Sequence, residues 1–460
     1  MIVLMILTPA ICRQARLARD ARYDGLFFTA VSSTGIFCRP VCPARTPAEQ
    51  QVRYYFCAAA ASAAGYRPCL RCRPDSAPGS AAWQGTDTTL QRALRLIDEG
   101  ELQQQSQQQL AERLGISERY LRKLFQQQLG MAPKQYALMQ QVLFAKKLLH
   151  ETALPVSSVA FQAGFNSVRR FNDAFKQQLN LSPLQIRRQH HSAGDSLQLS
   201  LSYRPPLAWP QMLAFWQQRT LDGIDWVTDQ RYGRTFSFMQ RAGWFEVAPG
   251  TANNLTLQLH WPGKQGLFTL LRQLRRLLDL DANMLQIEQQ LCSQPLFNGG
   301  IISGLRIPGV WNSWEAGVRA ILGQQVSVAG ARTQLNRLVQ ALGEPLDNNK
   351  RLFPTPQALL NSDLQMIKVP QARRDTLKAL AQAVISQPDA APEHWLSIKG
   401  IGPWTVSYAR LRGLADSDIW LGGDLGVQKA LAKAGANGDS TALAPWRSYA
   451  TLQLWFSLGA

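Results

Sequence analysis

The sequence has little acidic charge for its length. Its 460 residues contain 31 Asp and Glu against 49 Lys and Arg, a formal net charge of +18, and 37 of the basic residues are arginine. This balance excludes an acidic disordered chain. It also makes a polyanion the expected partner, because guanidinium groups pair with phosphate oxygens through two hydrogen bonds. The basic excess is +6 in residues 1–80, +5 in 81–195 and +7 in 196–460, so it is not confined to one arm.

The sequence also lacks any stretch of about 18 apolar residues, the length that spans a bilayer. The apolar N-terminus, Met1–Leu7, is short, has no basic segment before it and is not expected to act as a secretion signal. Cysteine is scarce: there are seven, and four of them stand in two short pairs. We therefore expect a cytoplasmic protein without a membrane partner, in which these pairs bind a metal rather than form disulfides.

Changes in composition divide the chain. The small-residue segments Pro74–Gly85 and His190–Ser196 are predicted linkers, and residues 86–189 between them have the periodicity of helices. Leu197–Tyr203 and Leu255–His260 alternate apolar and polar residues, which predicts strands; the pattern is helical again from about Gly266. The sequence therefore predicts several domains of different secondary structure.

The paired cysteines are spaced as ligands of a tetrahedral Zn²⁺ ion. Cys38 and Cys42 enclose three residues, Cys69 and Cys72 enclose two, and 26 residues separate the pairs. Each pair can span one edge of a tetrahedron at a Zn–S distance of about 2.3 Å. The spacing alone also suits a purely structural zinc site in a domain that is too small to bury a sufficient core.

The surroundings of these cysteines favour a chemical role. Residues 12–76 resemble the methyl-acceptor zinc domain of the Ada family, and three segments carry the resemblance: Asp24–Phe28 (DGLFF), Thr34–Pro40 (TGIFCRP) and Gly65–Cys69 (GYRPC). The resemblance implies that Cys38, the first of the set, removes a methyl group from a methyl phosphotriester in DNA. A zinc-bound cysteine is a thiolate and is therefore nucleophilic at neutral pH. Cys12 and Cys57 lie outside the set and are expected to be ordinary core thiols.

Two segments of the helical part have the plan of a helix-turn-helix. Leu110–Phe125 has a turn at Gly115 and a Ser117 N-cap, and Val156–Phe175 repeats the plan with Gly164 at the turn and Asn166 or Ser167 as the cap. Two such units in tandem resemble the AraC-type DNA-binding domain over residues 86–189. The second helix of each unit carries the residues expected to contact DNA: Arg119, Arg122, Lys123, Arg169, Arg170 and Asn172. Alternatively, some of these charges belong to a solvated helix face.

A helix-hairpin-helix motif lies near the C-terminus. Ile398–Tyr408 (IKGIGPWTVSY) places Gly400 and Gly402 in a turn between helices, whose backbone N–H groups suit a DNA phosphate. Asp424 follows about 20 residues later in Ile419–Asp424 (IWLGGD). A hairpin followed by Gly-Asp at this spacing resembles the helix-hairpin-helix glycosylase superfamily.

Further segments narrow the resemblance to the 3-methyladenine-DNA glycosylase II (AlkA) family, over residues 197–460. These segments are Gly309–Ala329, Pro354–Pro356 and Pro445–Trp455. The resemblance implies that Asp424 is the catalytic carboxylate, that the turn after Leu322 enters the minor groove, and that the base pocket is lined by Trp404, Tyr408 and Trp455. Alternatively, Asp424 is a helix cap and Tyr408 and Trp455 are core aromatics.

Four details qualify this resemblance. Family members that also cut the strand have a Schiff-base lysine where this chain has Trp404, which predicts a monofunctional hydrolase. No cysteine cluster follows Asp424, so no iron–sulfur cluster is expected. Gln325 stands at the position where the similar glycosylase of the AlkA family has an apolar wedge residue. A monovalent cation is a candidate cofactor at the hairpin, on carbonyl groups of Leu396, Ile398 and Ile401.

The predicted fold class is multidomain α+β in four units. They are a zinc methyl-acceptor domain (1–76), an all-α double helix-turn-helix domain (86–189), a strand-bearing α+β subdomain (197–300) and an all-α helix-hairpin-helix glycosylase domain (301–460). The predicted function is release of alkylated purines such as 3-methyladenine from DNA, joined to alkylation-sensing transcriptional control. No Pro-Cys-His-Arg segment is present, so the guanine-directed methyltransferase of the Ada family is not expected.

The predicted partner is double-stranded DNA, through alkylated bases, methyl phosphotriesters and promoter sites. RNA polymerase is a candidate second partner, and the chain is expected to be a monomer. The competing hypothesis is an alkylation-responsive activator in which the glycosylase fold serves only to bind DNA.

Overall fold

The computed structural model describes residues 7–56, 58–69, 71–72, 74, 88–98, 100–187, 196–347, 349–388, 390–436 and 438–459. Most of both predicted linkers, most of the apolar N-terminus and Cys57 lie outside these residues. None of the described helices combines the length and apolar composition that a bilayer crossing requires.

The N-terminal part is a small α+β unit around a four-stranded sheet of order β3-β1-β2-β4. Its elements are α1 (Pro9–Leu17), β1 (Phe28–Val31), β2 (Ile36–Cys38), β3 (Val52–Tyr55), α2 (Ala58–Ala63) and β4 (Arg67–Pro68). The sheet core is minimal, with Phe28, Ala30, Phe37 and Ala61 as its buried members. Strands β2 and β4 are parallel and pair Phe37 with Pro68, so the cysteines that follow these two residues, Cys38 and Cys69, lie side by side at the ends of the strands.

The second part is entirely helical, as predicted. It contains α3 (Thr88–Asp98), α4 (Glu101–Gln104), α5 (Gln107–Arg113), α6 (Glu118–Leu129), α7 (Pro133–Glu151), α8 (Val156–Gln162), α9 (Val168–Leu179) and α10 (Pro183–Ile186). Helices α5–α6 and α8–α9 are the two helix-turn-helix units, and the 19-residue α7 connects them. Ser117 and Ser167 are the N-caps, each accepting a backbone hydrogen bond three residues on. At the second turn Gly164 has φ +85°, and a Cβ there would lie 2.5 Å from Oε1 of Gln103.

The third part confirms both predicted strands within a five-stranded antiparallel sheet of order β5-β9-β8-β7-β6. Its elements are β5 (Leu197–Ser202), α11 (Trp209–Gln217), β6 (Asp225–Thr228), β7 (Arg231–Phe238), β8 (Arg241–Pro249), β9 (Asn254–His260), α12 (Leu267–Leu277) and α13 (Met284–Cys292). Alternate residues of β9 are buried, so one face of the sheet packs on the core while the other stays partly exposed.

The remaining chain is helical: α14 (Ser313–Gly323), α15 (Val328–Leu342), α16 (Pro356–Leu360), α17 (Gln371–Ser386), a 3₁₀ helix (Pro392–Ser397), α18 (Pro403–Leu414), α19 (Leu425–Ala434) and α20 (Arg447–Phe456). Helices α14 to α18 surround one apolar core. Helices α19 and α20 pack instead into the core that contains the five-stranded sheet. Helix α18 contributes side chains to both cores, so its N-terminus and that of α19 meet at their boundary.

Helix α7 contacts both neighbouring parts of the chain. Nζ of the fully buried Lys146 donates to the carbonyl oxygen of Cys69 at the end of the N-terminal unit (3.4 Å). The next residue, Lys147, donates to the Ser200 carbonyl of β5, and Glu151 accepts from the Ser200 N–H (3.0 Å). The rings of Phe144 on α7 and Phe268 on α12 meet edge to face at 5.1 Å. The three parts therefore pack directly against one another.

A buried ionic cluster joins the sheet to α14. Glu315, which is 1% exposed, pairs with Arg234 of β7 (2.7 Å) and with Arg319 one turn on (2.8 Å), and Arg319 also reaches Asp225 of β6 (3.2 Å). Burial by itself would raise the pKa of Glu315. The two guanidinium groups outweigh that effect and hold the pKa below its usual range. The cluster therefore requires Glu315 to be ionised.

Replacing Glu315 by alanine should destabilise the C-terminal half of the chain strongly. The change leaves two buried guanidinium groups short of a counter-charge, which costs about 3–5 kcal/mol. The measurement is urea unfolding followed by tryptophan fluorescence. Glu393→Ala, which removes a half-exposed partner of Arg410, is the control and should cost about 1 kcal/mol or less. Equal losses of unfolding free energy in the two variants would contradict the stabilising role of the Glu315 charge.

Candidate functional site

The structure brings the four predicted zinc ligands together. The Sγ atoms of Cys38, Cys42, Cys69 and Cys72 all lie within 4.8 Å of one another. The first pair is half-buried and the second is buried, at 6% and 7% exposure. Four thiolates at such distances fit the tetrahedral coordination of Zn²⁺. The parallel pairing of β2 with β4 explains the meeting, because it places Cys38 beside Cys69; the Cys69 N–H donates to the Phe37 carbonyl at 2.9 Å.

Donors around the cluster favour its ionised form. The backbone N–H of Arg39 points at Sγ of Cys72 (3.3 Å) and that of Arg71 at Sγ of Cys69 (3.4 Å). Hydrogen bonding among the four thiols lowers the pKa of Cys42 and Cys69 and raises that of Cys38 and Cys72. A bound divalent cation would favour the thiolate form of all four.

Arg39 is a member of this site that the cysteine spacing does not reveal. Its guanidinium forms an ion pair with the buried Asp24, and its Nη1 donates to the Cys72 carbonyl (3.2 Å). By contrast, Cys12 is a core thiol as predicted: it is fully buried, and burial raises its pKa to about 11. Cys57, predicted to be similar, lies outside the described residues.

The predicted DNA-contacting arginines occupy the exposed faces of the two second helices. Arg119 and Arg122 lie on α6, and Arg169 and Arg170 lie on α9. Arg122 forms an ion pair with Glu118 one turn earlier while keeping a side-chain exposure of 61%. The two opposite faces are apolar: Leu121 and Phe125 of α6 and Phe171 of α9 are fully buried.

Asp424 lies where α18 and α19 meet, and it is the N-cap of α19. Its Oδ1 accepts the N–H groups of Gly426 (2.9 Å) and Val427 (3.1 Å), so the helix-cap alternative describes a real contact. Helix capping does not explain all the hydrogen bonds that the carboxylate accepts. Nε1 of Trp455 also donates to Oδ1 (2.9 Å), and Nε1 of Trp404 donates to Oδ2 (3.0 Å). Two indoles from different helices therefore orient one half-exposed carboxylate.

The third predicted aromatic belongs to the same group. The rings of Trp404 and Tyr408, one turn apart on α18, lie 5.4 Å apart and are tilted by 30°. Trp455 is 9% exposed and lies 6.3 Å from the nearly parallel ring of Phe215. Trp455 therefore packs in part as a core aromatic, as the alternative interpretation holds. One edge of its indole nevertheless contacts Asp424.

Three residues of this site were missed from the sequence. Phe215 on α11 is fully buried, and the guanidinium groups of Arg219 and Arg412 lie 3.7 and 4.8 Å from its ring centroid. Arg412 also donates to Oη of Tyr408 (3.1 Å). Burial, together with the charge of Arg412, lowers the pKa of Arg219 to about 10. Phe215 and Arg219 are four residues apart, but no local pattern could have connected them to Arg412, because about 200 residues separate Phe215 from α18.

The hairpin turn leaves two backbone N–H donors available. Gly400 has φ +92°, and a Cβ there would lie 2.3 Å from Oγ1 of Thr376, so the turn requires glycine. In the part of the chain that the structure describes, the N–H groups of Gly400 and Gly402 have no protein acceptor. Such N–H groups at the start of a helix, here α18, can bind a phosphate oxygen.

The turn after α14 lies beside this hairpin. Gln325, a predicted DNA-binding residue at the position of the wedge, is exposed and has φ +57°. Its neighbour Gln324 turns the other way, and its Nε2 donates to the Gly400 carbonyl (3.0 Å). Sequence reasoning singled out only Gln325; two adjacent glutamines offer no sequence signal that separates their directions.

Comparisons with known proteins agree with this architecture. Three family models match successive parts of the chain: the metal binding domain of Ada over residues 11–75, a helix-turn-helix domain over 110–189 and the AlkA N-terminal domain over 198–312. The chain is therefore a fusion of a zinc-binding module and a helix-turn-helix module with a DNA glycosylase fold.

Close similarity over the full length identifies the family. A probable bifunctional transcriptional activator/DNA repair enzyme AlkA of Mycobacterium tuberculosis is 35% identical over 476 residues, which cover 97% of this chain and 96% of that protein. The chain belongs to this family. DNA-3-methyladenine glycosylase 2 of Escherichia coli is 32% identical over 282 residues, covering 56% of this chain and 97% of its own. The bifunctional transcriptional activator/DNA repair enzyme Ada of Escherichia coli is 35% identical over 176 residues, covering 38% of this chain and 48% of its own.

Proposed function

We propose that this protein is a monofunctional DNA-3-methyladenine glycosylase joined to an alkylation-sensing regulatory half. The observation that carries the proposal is the carboxylate of Asp424, held between the indoles of Trp404 and Trp455 beside a hairpin with available N–H donors. The family relationship supports the glycosylase class. The four-unit division at 1–76, 86–189, 197–300 and 301–460 is part of this proposal.

The chemistry follows from the charge of the lesion. A purine alkylated on a ring nitrogen is cationic, and the faces of Trp404, Tyr408 and Trp455 attract cations once the base leaves the stack. When the glycosidic bond breaks, the base leaves with the bonding electrons as a neutral molecule, so little general acid catalysis is needed. The positive charge moves to the sugar, where the Asp424 carboxylate stabilises it until water adds to C1′ and releases a proton to solvent.

The turn and the hairpin have separate tasks on the duplex. The N–H groups of Gly400 and Gly402 bind a phosphate, while Gln325 enters the minor groove and fills the gap left by the base. A monovalent cation bound by carbonyl groups of Leu396, Ile398 and Ile401 would add to this grip. In the described turn the Ile398 carbonyl already accepts the Ile401 N–H (3.0 Å).

The regulatory half carries the second reaction. A zinc ion held by the four cysteines would keep Cys38 ionised. The Cys38 sulfur attacks the methyl carbon of a methyl phosphotriester: an S–C bond forms, the O–C bond breaks, and the phosphate oxygen keeps the electron pair. Methylation of one of four thiolates around Zn²⁺ would change the formal charge from −2 to −1 and weaken repulsion of DNA phosphates. Arg119, Arg122, Arg169 and Arg170 then contact promoter DNA, with RNA polymerase as a candidate partner of the monomeric chain.

The test of the glycosylase assignment uses duplex DNA treated with a methylating agent. We expect release of 3-methyladenine, an unbroken strand with an abasic site, and no covalent adduct on treatment with borohydride. The reason is that Trp404, unlike a lysine, offers no amine for a Schiff base. A trapped adduct would contradict the monofunctional assignment, and the absence of base release would favour the alternative of a DNA-binding regulator.

A further inference from the structure

The loop at residues 324–327 is fastened to the hairpin by Gln324. The Nε2 group of Gln324 donates both to the Gly400 carbonyl (3.0 Å) and to Oγ1 of Thr405 (3.1 Å). Thr405 is 1% exposed and belongs to the first turn of α18. The side chain therefore joins the end of α14 to both the hairpin turn and the helix that follows it.

Helix α17 braces the same contact from a third side. Nη2 of Arg373 donates to the backbone carbonyl of Gln324 (3.0 Å), and Oγ1 of Thr376 lies 2.9 Å from the Lys399 carbonyl, to which it donates. Hydrogen bonds therefore join the loop to the hairpin, the loop to α17, and α17 to the hairpin. Gln324 takes part through both its backbone and its side chain.

The tip of the loop is strained and exposed. Gln325 has φ +57°, a conformation that costs an L-residue about 1–2 kcal/mol. Val326 and Val328 are 46% and 42% exposed, so apolar groups face solvent beside the glutamine. On the far side, Ser327 caps α15 through the Gly330 N–H (3.1 Å). A strained, solvent-exposed tip keeps one geometry only when it is held at both ends, and Gln324 and Ser327 are those ends.

We propose that Gln324 is a positioning residue that sets the distance between the Gln325–Val326 tip and the phosphate-binding hairpin. The proposal rests on the function proposed above. A duplex gripped at the hairpin meets the tip at one depth only, so insertion of the tip and extrusion of the base become a single concerted step. Extrusion costs a few kcal/mol, and a displacement of about 1 Å in such an arrangement can reduce a rate by about 100-fold.

The test compares Gln324→Ala with Gln325→Ala and with a matched control, Gln382→Ala, an exposed glutamine of α17 that contacts Ser386. Two substrates carry a single 7-methylguanine, one with the lesion paired with cytosine and one with it unpaired in a bulge. Base release is followed under single-turnover conditions, and affinity for undamaged duplex is measured separately.

We expect Gln324→Ala to slow release from the paired substrate by about 10- to 100-fold and release from the bulge by less than about threefold. The bulged base is already unpaired, so extrusion requires less work. Affinity for undamaged DNA should change by less than about threefold, and Gln382→Ala should match the unmodified chain. Equal slowing on both substrates, or no slowing on either, would overturn the positioning role.

A second readout separates this proposal from the proposed function. 2-Aminopurine placed next to the lesion in the same strand gains fluorescence when the lesion is extruded and the neighbouring bases unstack, whether or not the glycosidic bond is cut. If the unmodified chain raises the fluorescence without releasing base, the glycosylase assignment fails and the positioning role is still tested. A fluorescence rise in Gln324→Ala equal to that of the unmodified chain would refute the positioning role.

Discussion

Asp424→Asn is expected to abolish release of 3-methyladenine from alkylated DNA while leaving DNA binding largely intact. Loss of a single preorganised electrostatic group costs about 10²- to 10³-fold in rate, and here the lost group is the formal charge opposite the sugar cation. Asparagine is as good an N-cap as aspartate, so α19 should remain capped. The measurement is single-turnover base release alongside a binding titration on the same duplex.

The cap and the catalytic role of Asp424 can be separated by a second substitution. Asp424→Ala should be equally inactive and should also lose about 0.5–2 kcal/mol of stability, because Gly426 and Val427 lose their acceptor. Asp363→Asn, which alters an exposed carboxylate that caps the Gln365 N–H, is the matched control and should retain activity. Near-normal base release by Asp424→Asn would mean that Asp424 is only a helix cap.

Cys38→Ala is expected to eliminate methyl transfer to the protein and to spare base release. Of the other thiols that the structure describes, Cys12 is fully buried with its pKa raised to about 11, and Cys42, Cys69 and Cys72 are proposed to hold the metal and not to accept the methyl group. The measurement is protein-bound label after incubation with DNA carrying radiolabelled methyl phosphotriesters, with released bases read in the same sample. Base release should be retained because Cys38 and Asp424 belong to different units.

Two controls give this experiment its specificity. Cys292→Ser removes an exposed thiol outside the cluster and should leave methyl transfer unchanged. Zinc content should be measured for each variant, because Cys38→Ala removes one of four ligands. Persistent labelling of Cys38→Ala would identify another thiol as the acceptor, and loss of label in Cys292→Ser would do the same.

Much of the prediction depended on patterns between residues that are close in the sequence. The spacing of Cys38, Cys42, Cys69 and Cys72 anticipated a cluster, because ligands two or three residues apart need only a local turn to meet one ion. Ser117 and the pair Asn166–Ser167 anticipated helix starts, because a cap acts on N–H groups two or three residues away. The alternation at Leu197–Tyr203 anticipated a strand because one face of the sheet is buried.

The division of the C-terminal half into consecutive segments of sequence did not show which helices pack into which core. Helices α19 and α20 lie at the end of the chain but pack into the core of the sheet that begins near residue 197. Helix α18 lies between the two cores. Side-chain periodicity shows which face of a helix is buried but carries no information about its partner, so this arrangement could not be predicted.

The sequence by itself determined the kinds of chemistry available: four thiols in metal-ligand spacing, two capped helix-turn-helix units, and a carboxylate about 20 residues after a glycine hairpin. Each depends on neighbours close in the chain, where backbone geometry restricts the outcome. Only the tertiary structure decided that Trp404 and Trp455 hold Asp424 from two helices, and that Phe215 brings two arginines behind them. It also decided that Gln324, not Gln325, reaches the hairpin. Apart from the contact of Phe215 with Arg219, four residues away, these contacts join residues 20 to about 200 positions apart, and such contacts form only when whole elements pack into a shared core.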